Sequence, residues 1–117
     1  MAKPLETLSV RVDRDQCSAI LHLDGELDLA NVDLADQAIS ETAADIFSRH
    51  LMVDCQQLTF IDSSGIRALI SAHQQWEGKL AVLHPHRIVE KAIAVTGLTE
   101  VLHVVESVEE AREILHS

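Results

Sequence analysis

Leu51-Met52-Val53-Asp54-Cys55, followed by Gln56 to Asp62 and then Ser63-Ser64-Gly65-Ile66, is the stretch on which the fold turns (residues 51–66). Its first five residues are short and almost wholly apolar, the pattern of a central strand buried on both faces. Gln56 to Asp62 reads as a loop. From Ile66 the period changes: Ile66, Leu69, Ile70 and His73 fall on one face of a helix, and Gly78 breaks it. A buried strand that feeds a helix is half of a parallel crossover unit, so the neighbouring segments decide the sheet.

Upstream, Leu8, Val10 and Val12 alternate with Ser9, Arg11 and Asp13, the period of a half-buried strand. Arg14-Asp15-Gln16 makes a turn, and Cys17, Ala19, Leu21 and Leu23 carry the alternation into a second strand that Gly25 ends. A turn so short joins antiparallel neighbours. Between Asn31 and Phe47, Ala35, Ala38, Ile39, Thr42, Ala43 and Ile46 recur at helical spacing. Downstream, Leu80 to Leu83 predicts a fourth strand. Pro85 opens a helix with Ile88, Val89, Ala92 and Ile93 inward, and Gly97 stops it. Leu102 and Val104 form a short last strand. Ser107-Val108-Glu109-Glu110 has capping-box spacing, in front of the apolar face Val108, Ala111, Ile114 and Leu115. The order is β-β-α-β-α-β-α-β-α. It predicts an α/β domain: a mixed sheet of about five strands, opening with an antiparallel hairpin and continuing in parallel, with about four helices.

The chain has 117 residues, enough for one domain over 1–117, and only residues 1–5 are expected to be loose. No apolar run approaches the roughly 20 residues of a membrane span, and the N-terminus lacks the apolar stretch of a signal peptide. A cytoplasmic protein is expected. The formal net charge is −10, from nineteen acidic and nine basic residues. Nucleic acid and anionic membranes repel such a field, whereas a partner with a basic face suits it. Cys17 and Cys55 lack CxxC spacing and read as small buried hydrophobes of a reducing compartment. The seven histidines show no metal-ligand spacing. They read as satisfied or solvated side chains, with no metal and no cofactor implied. Alternation sets His22 opposite Leu21 and Leu23. Trp76 reads as packing at a helix end.

Two segments carry a family resemblance: Gly25-Glu26-Leu27-Asp28-Leu29-Ala30 and Phe60-Ile61-Asp62-Ser63-Ser64-Gly65-Ile66. Together, and with the element order, they are similar to the signature of the STAS family, named for sulfate transporters and anti-sigma factor antagonists. The resemblance runs from about Leu8 to Leu115 and is to the antagonist type. It implies a protein that binds an anti-sigma factor of the GHKL serine kinase type, frees a sigma factor, and lets go when phosphorylated. A phosphatase resets the cycle. The chain itself would be a kinase substrate and not an enzyme. The matching phosphoacceptor is Ser64, with Ser63 as second choice, and the implied partner surface is Asp28, Asp62, Ser63, Ser64, Gly65, Ile66 and Arg67.

Each of these residues also has a plainer reading. An Asp or Ser ahead of a helix suits an N-cap, which is the plainer reading of both Ser63 and Ser64, with Ser63 the cap if Ser64 is modified. Asp28 suits a solvated residue opening the first helix. Ile66 suits the core, and Arg67 suits a solvated helix face or a phosphate partner. Free amides and the positive dipole at the helix tip suit a phosphate on Ser64, and Gly65 leaves the hydroxyl open. The family also implies two alternatives: a scaffold or accessory subunit of a stress-sensing or lipid-transport complex, and a nucleotide-binding sensor module. The G-x-S-x-G frame of a hydrolase and the glycine spacings of a phosphate loop are missing.

Overall fold

The structure is a computed structural model and describes residues 7–15 and 17–116. The expectations for residues 1–5 and for Gln16 lie outside the described residues. The elements are β1 (Leu8–Asp15), β2 (Ser18–Leu27), α1 (Val32–Ala43), β3 (His50–Ile61), α2 (Ser63–Gln75), β4 (Leu80–Leu83), α3 (Arg87–Val95), β5 (Val104–Val105) and α4 (Val108–Leu115). They form a five-stranded sheet in the order β1-β2-β3-β4-β5. β1 runs antiparallel to β2, and the other three pairs are parallel. This is the mixed sheet that the sequence predicts.

Alternation along the strands sorts the side chains into two layers. Leu21, Leu23, Leu51, Val53, Leu80 and Val82 face α1, α2 and α3, which contribute Ile39, Leu69 and Ile93 to the main core. Met52, Ala81, Leu83 and Val105 face the other way, under Ala111 and Leu115 of α4. Beyond the reach of α4 that second face turns polar. There His22, opposite Leu21 and Leu23 as expected, sits between two carboxylates: Nδ1 is 2.9 Å from Asp54 and Nε2 is 2.9 Å from Asp13.

Several boundaries differ from the sequence expectation. Gly25 does not end β2 but bends it: its φ is +115°, and a Cβ there would stand 2.1 Å from the Thr7 carbonyl oxygen. The presumed loop from Gln56 continues β3 to Ile61, paired with Asp24 to Leu27 across register shifts at His22/Asp24 and Gly25/Glu26. Leu58 and Ile61 are buried while Gln56, Gln57, Thr59 and Phe60 are exposed, so the irregular register hides the period of two. α1 stops at Ala43, leaving Ile46 at 87% exposure and Phe47 at 76%. The Asp45 side chain shapes the loop after it, accepting from the Phe47 amide and the Ser48 hydroxyl and pairing with Arg14. Arg14 first, then those two donors, holds the Asp45 carboxyl down to about 2.

On α3, Ile88 is exposed, and Val89 and Ile93 carry the buried face. On α2, Ile66 and Leu69 are buried, but Ile70 and His73 only half so; Ala68 and Ala72 complete the buried face. Ile114 of α4 is exposed, and Leu102 is buried in the turn ahead of β5. Trp76 caps α2 and is buried, as expected. Ser107 Oγ accepts from the Glu110 amide, while Glu110 reaches back to the Glu106 amide instead of the Ser107 amide. Both cysteines are free: Cys55 is buried, but Cys17 lies half-exposed in the turn between β1 and β2 and not within a strand.

Candidate functional site

β2 and β3 are parallel neighbours, so their carboxyl ends finish side by side, with Leu27 opposite Ile61. The loops that leave them therefore share one rim of the sheet, the edge where ligand sites gather in parallel α/β folds. One loop is Asp28 to Asn31, ahead of α1. The other is Asp62 alone, ahead of α2.

Asp62 is the N-cap of α2. Its Oδ1 accepts from the Ser64 amide at 2.9 Å and the Gly65 amide at 3.1 Å, while its Oδ2 accepts from the Leu29 amide at 3.1 Å. One carboxylate thus caps a helix and ties in a loop 33 residues away in sequence. Ser63 is therefore the first helical residue and not the cap, since Asp62 already fills that role. The Ser64 and Gly65 amides, expected to be free at the helix tip, already have an anionic acceptor in Asp62.

The other loop is fixed from below. Asn31 is buried, and its Nδ2 donates to the Glu26 carbonyl and the Thr7 hydroxyl, both at 2.8 Å. Its Oδ1 accepts from the Asp28 amide at 3.0 Å. The Asp28 carboxylate accepts from the Ala30 amide at 3.0 Å, a local turn that keeps it at the rim. Sequence reasoning missed Asn31; an asparagine ahead of a helix signals a cap, but this side chain makes no cap bond and braces the loop instead.

The seven residues named from sequence part company here. Ser63 and Arg67 are exposed, and Asp28, Asp62 and Ser64 are half-buried. Gly65 and Ile66 are buried. Gly65 does not serve to expose the serine: a Cβ on it would meet Ile61 Cγ1 at 2.5 Å and Leu27 Cγ at 2.9 Å. A glycine is required for the helix to seat closely on the ends of β2 and β3. Ile66 packs in the main core. Two exposed apolar residues that sequence reasoning passed over, Leu29 at 74% and Phe60 at 43%, stand on the segments that frame the rim.

Ser64 lines an open hollow of about 200 Å³ with Leu29, Asp36, Arg67 and Ser71. Burial first, then Asp33, raises the Asp36 carboxyl above its usual range. Arg67, one turn along α2, is the cation of this hollow. Among the described residues the Ser64 hydroxyl makes no hydrogen bond.

The family model described as "STAS domain" matches residues 9–111. The chain belongs to the STAS family. Solved structures of similar fold include an anti-sigma factor antagonist from Mycobacterium paratuberculosis, with TM-score 0.86 and 18% identity over 99% of this chain and 100% of that one. The phosphorylated form of SpoIIAA, a Bacillus cell fate determinant, superposes with TM-score 0.70 and 20% identity over 93% of this chain and 100% of its own. The murine Solute Carrier 26 family member A9 anion transporter matches with TM-score 0.73 and 23% identity over 89% of this chain, but only 18% of the transporter. At such identities the likeness is one of fold. Among the described residues of this STAS domain no helix is long and apolar enough to cross a membrane.

Proposed function

We propose that this STAS domain is an anti-sigma factor antagonist. It captures an anti-sigma factor of the GHKL serine kinase type and so frees a sigma factor. Phosphorylation of Ser64 switches it off, and a phosphatase restores it. The observation that carries this reading is the Ser64 hydroxyl, unpartnered among the described residues, in an open hollow on the rim held beside the Asp28–Leu29 loop by Asp62.

The rim suits such a switch electrostatically. A phosphate brings about −1.5 to −2 charge. Asp62 already occupies the Ser64 and Gly65 amides, Asp36 lines the same hollow, and among the described residues Arg67 is the cation placed there to meet it. The added charge stays on the surface, where a partner must cover Leu29 and Phe60. A few kcal/mol lost at such a desolvated spot changes affinity by orders of magnitude, with no rearrangement of the domain.

The experiment is incubation with candidate anti-sigma kinases and ATP, read by intact-mass spectrometry on the wild type, Ser64→Ala and Ser63→Ala. One added phosphate is expected on the wild type and Ser63→Ala, and none on Ser64→Ala. Modification that survives Ser64→Ala but disappears with Ser63→Ala moves the role to Ser63. A scaffold or accessory-subunit role instead has Ser64→Glu leave partner affinity unchanged. For a nucleotide sensor the hollow is small beside the roughly 300–1,000 Å³ of usual small-molecule pockets.

A further inference from the structure

At the opposite end of the sheet from Ser64 the fold gathers three side chains that are scattered in sequence. Cys17 sits in the β1–β2 turn, His50 opens β3, and His116 caps the C-terminus of α4. The Arg49 amide donates to the Cys17 carbonyl at 2.6 Å and so ties the turn to the strand. Cys17 Sγ lies 3.8 Å from His50 Nδ1. The His50 and His116 rings meet edge to face, with centroids 4.5 Å apart. One ligating atom from each of the three residues lies within 4.8 Å of the others.

A thiol and two imidazoles can sit together as ordinary packing, but two features go beyond that. The first is geometric. A tetrahedral Zn2+ holds two nitrogen ligands about 3.3 Å apart, and a nitrogen and a sulfur about 3.6 Å apart, given bonds of about 2.05 and 2.3 Å. The Cys17–His50 pair already stands close to that spacing. His116 is exposed at a helix end and has free rotamers with which to close the rest. The second is an orphaned polar atom. Ser18 is the register partner of His50 in the parallel β2–β3 ladder, so the two side chains share a face. The Ser18 hydroxyl is buried and has no hydrogen-bond partner among the described residues. Such a group suits water held on a metal.

The geometry points to a transition-metal site made by Cys17, His50 and His116 that takes Zn2+, with a fourth position open to water. The donor set decides the class. A thiolate and two imidazoles favour zinc over magnesium or calcium. Arg49 and Lys79 add positive charge around His50, which disfavours an ion held by charge alone and leaves the donor atoms to decide. A bound ion joins the hairpin turn, the start of β3 and the end of α4, and does not involve the Ser64 rim.

The test uses tag-free, reduced full chain, titrated with Co2+ and followed by absorbance, then with Zn2+ in competition. One equivalent of Co2+ is expected, with a thiolate-to-cobalt charge-transfer band that Zn2+ abolishes. Cys17→Ser should remove the band. His116→Gln should weaken binding by at least about 10-fold, the lower end of what even an outer-shell change costs. His84→Gln, away from the cluster, should change neither. His50 is buried and its replacement risks misfolding, so Cys17→Ser and His116→Gln, at more open positions, carry the test, with circular dichroism confirming their fold. No saturable binding, binding without the charge-transfer band, or binding that both variants retain overturns the assignment.

Discussion

Asp62→Ala removes one carboxylate that serves three amides, and the cost can be worked from the structure. Loss of an N-cap costs about 1 kcal/mol, within a range of about 0.5–2. Oδ1 accounts for that, through Ser64 and Gly65. Oδ2 makes a separate bond to the Leu29 amide, half-buried at the carboxylate end, and bonds to charged groups are worth about 1.5–3 kcal/mol. The Leu29 amide is exposed and recovers water, so the lower figure applies there. The sum is about 2–3 kcal/mol. For a domain of this length each kcal/mol moves the melting temperature by about 4 °C, which gives a fall of about 8–12 °C.

Asp62→Asn separates the two parts. The amide oxygen keeps the cap, but its NH2 group cannot accept from Leu29. About half the loss, 4–6 °C, is therefore expected. Calorimetry of the three proteins at pH 7 checks the ladder. An Asp62→Ala protein that melts within about 2 °C of the wild type, or an Asn variant as weak as the Ala variant, refutes the division of labour between the two oxygens.

Gly65→Ala forces a Cβ to 2.5 Å from Ile61 Cγ1. It should destabilise by about 1–3 kcal/mol, read as a lower denaturation midpoint in urea. A midpoint equal to wild type would show that the helix tip has room to lift. Burial, then the Asp54 charge, pushes the Cys55 thiol up to about 12, so a thiol reagent should titrate only Cys17 in the native protein and both cysteines in denaturant. Rapid native reaction of two thiols would contradict the packing around β3. Burial, then His116, Lys79 and Arg49, lowers the His50 pKa from 6.5. The native state thus disfavours the proton that the unfolded chain accepts. Its stabilising effect is complete above about pH 6.5 and is lost as pH falls from there through the lowered native pKa. With metal chelated, melting temperatures between pH 8 and 5 should fall less steeply for His50→Gln than for the wild type, and equal slopes would exclude this contribution.

Most of the architecture was legible because its signals are local. Alternation in Leu8–Val12 and Leu21–Leu23, the apolar run 51–55 and the helical spacing of Ile66 and Leu69 each needed only a few residues. What was lost needed the neighbouring strand. The register shifts beside Gly25 hid six residues of β3, and nothing in Gln56 to Ile61 alone shows that Leu58 and Ile61 point inward. The site divides the same way. Asp62, Ser63 and Ser64 were recognisable at the head of a helix, but which of them capped it was settled by a carboxylate that also answers to Leu29. Gly65 was recognised and misexplained, because its reason is the approach of Leu27 from another strand. Cys17, His50 and His116 carry no spacing that a sequence pattern could flag, since three different elements bring them together.

The two margins of the sheet differ in how they discourage association between copies. β5 pairs over only two residues, too short a ribbon to template another chain. β1 is eight residues long and would be a hazard, yet its last five residues include Arg11, Asp13, Arg14 and Asp15, with Arg11 bridged to Asp13 and Asp15 to Arg112. An intruding strand would have to strip water from these charges before gaining a single ladder bond. Charge on one margin and brevity on the other thus discourage ladder pairing between copies, and leave the loops and helices as the surfaces better suited to a partner.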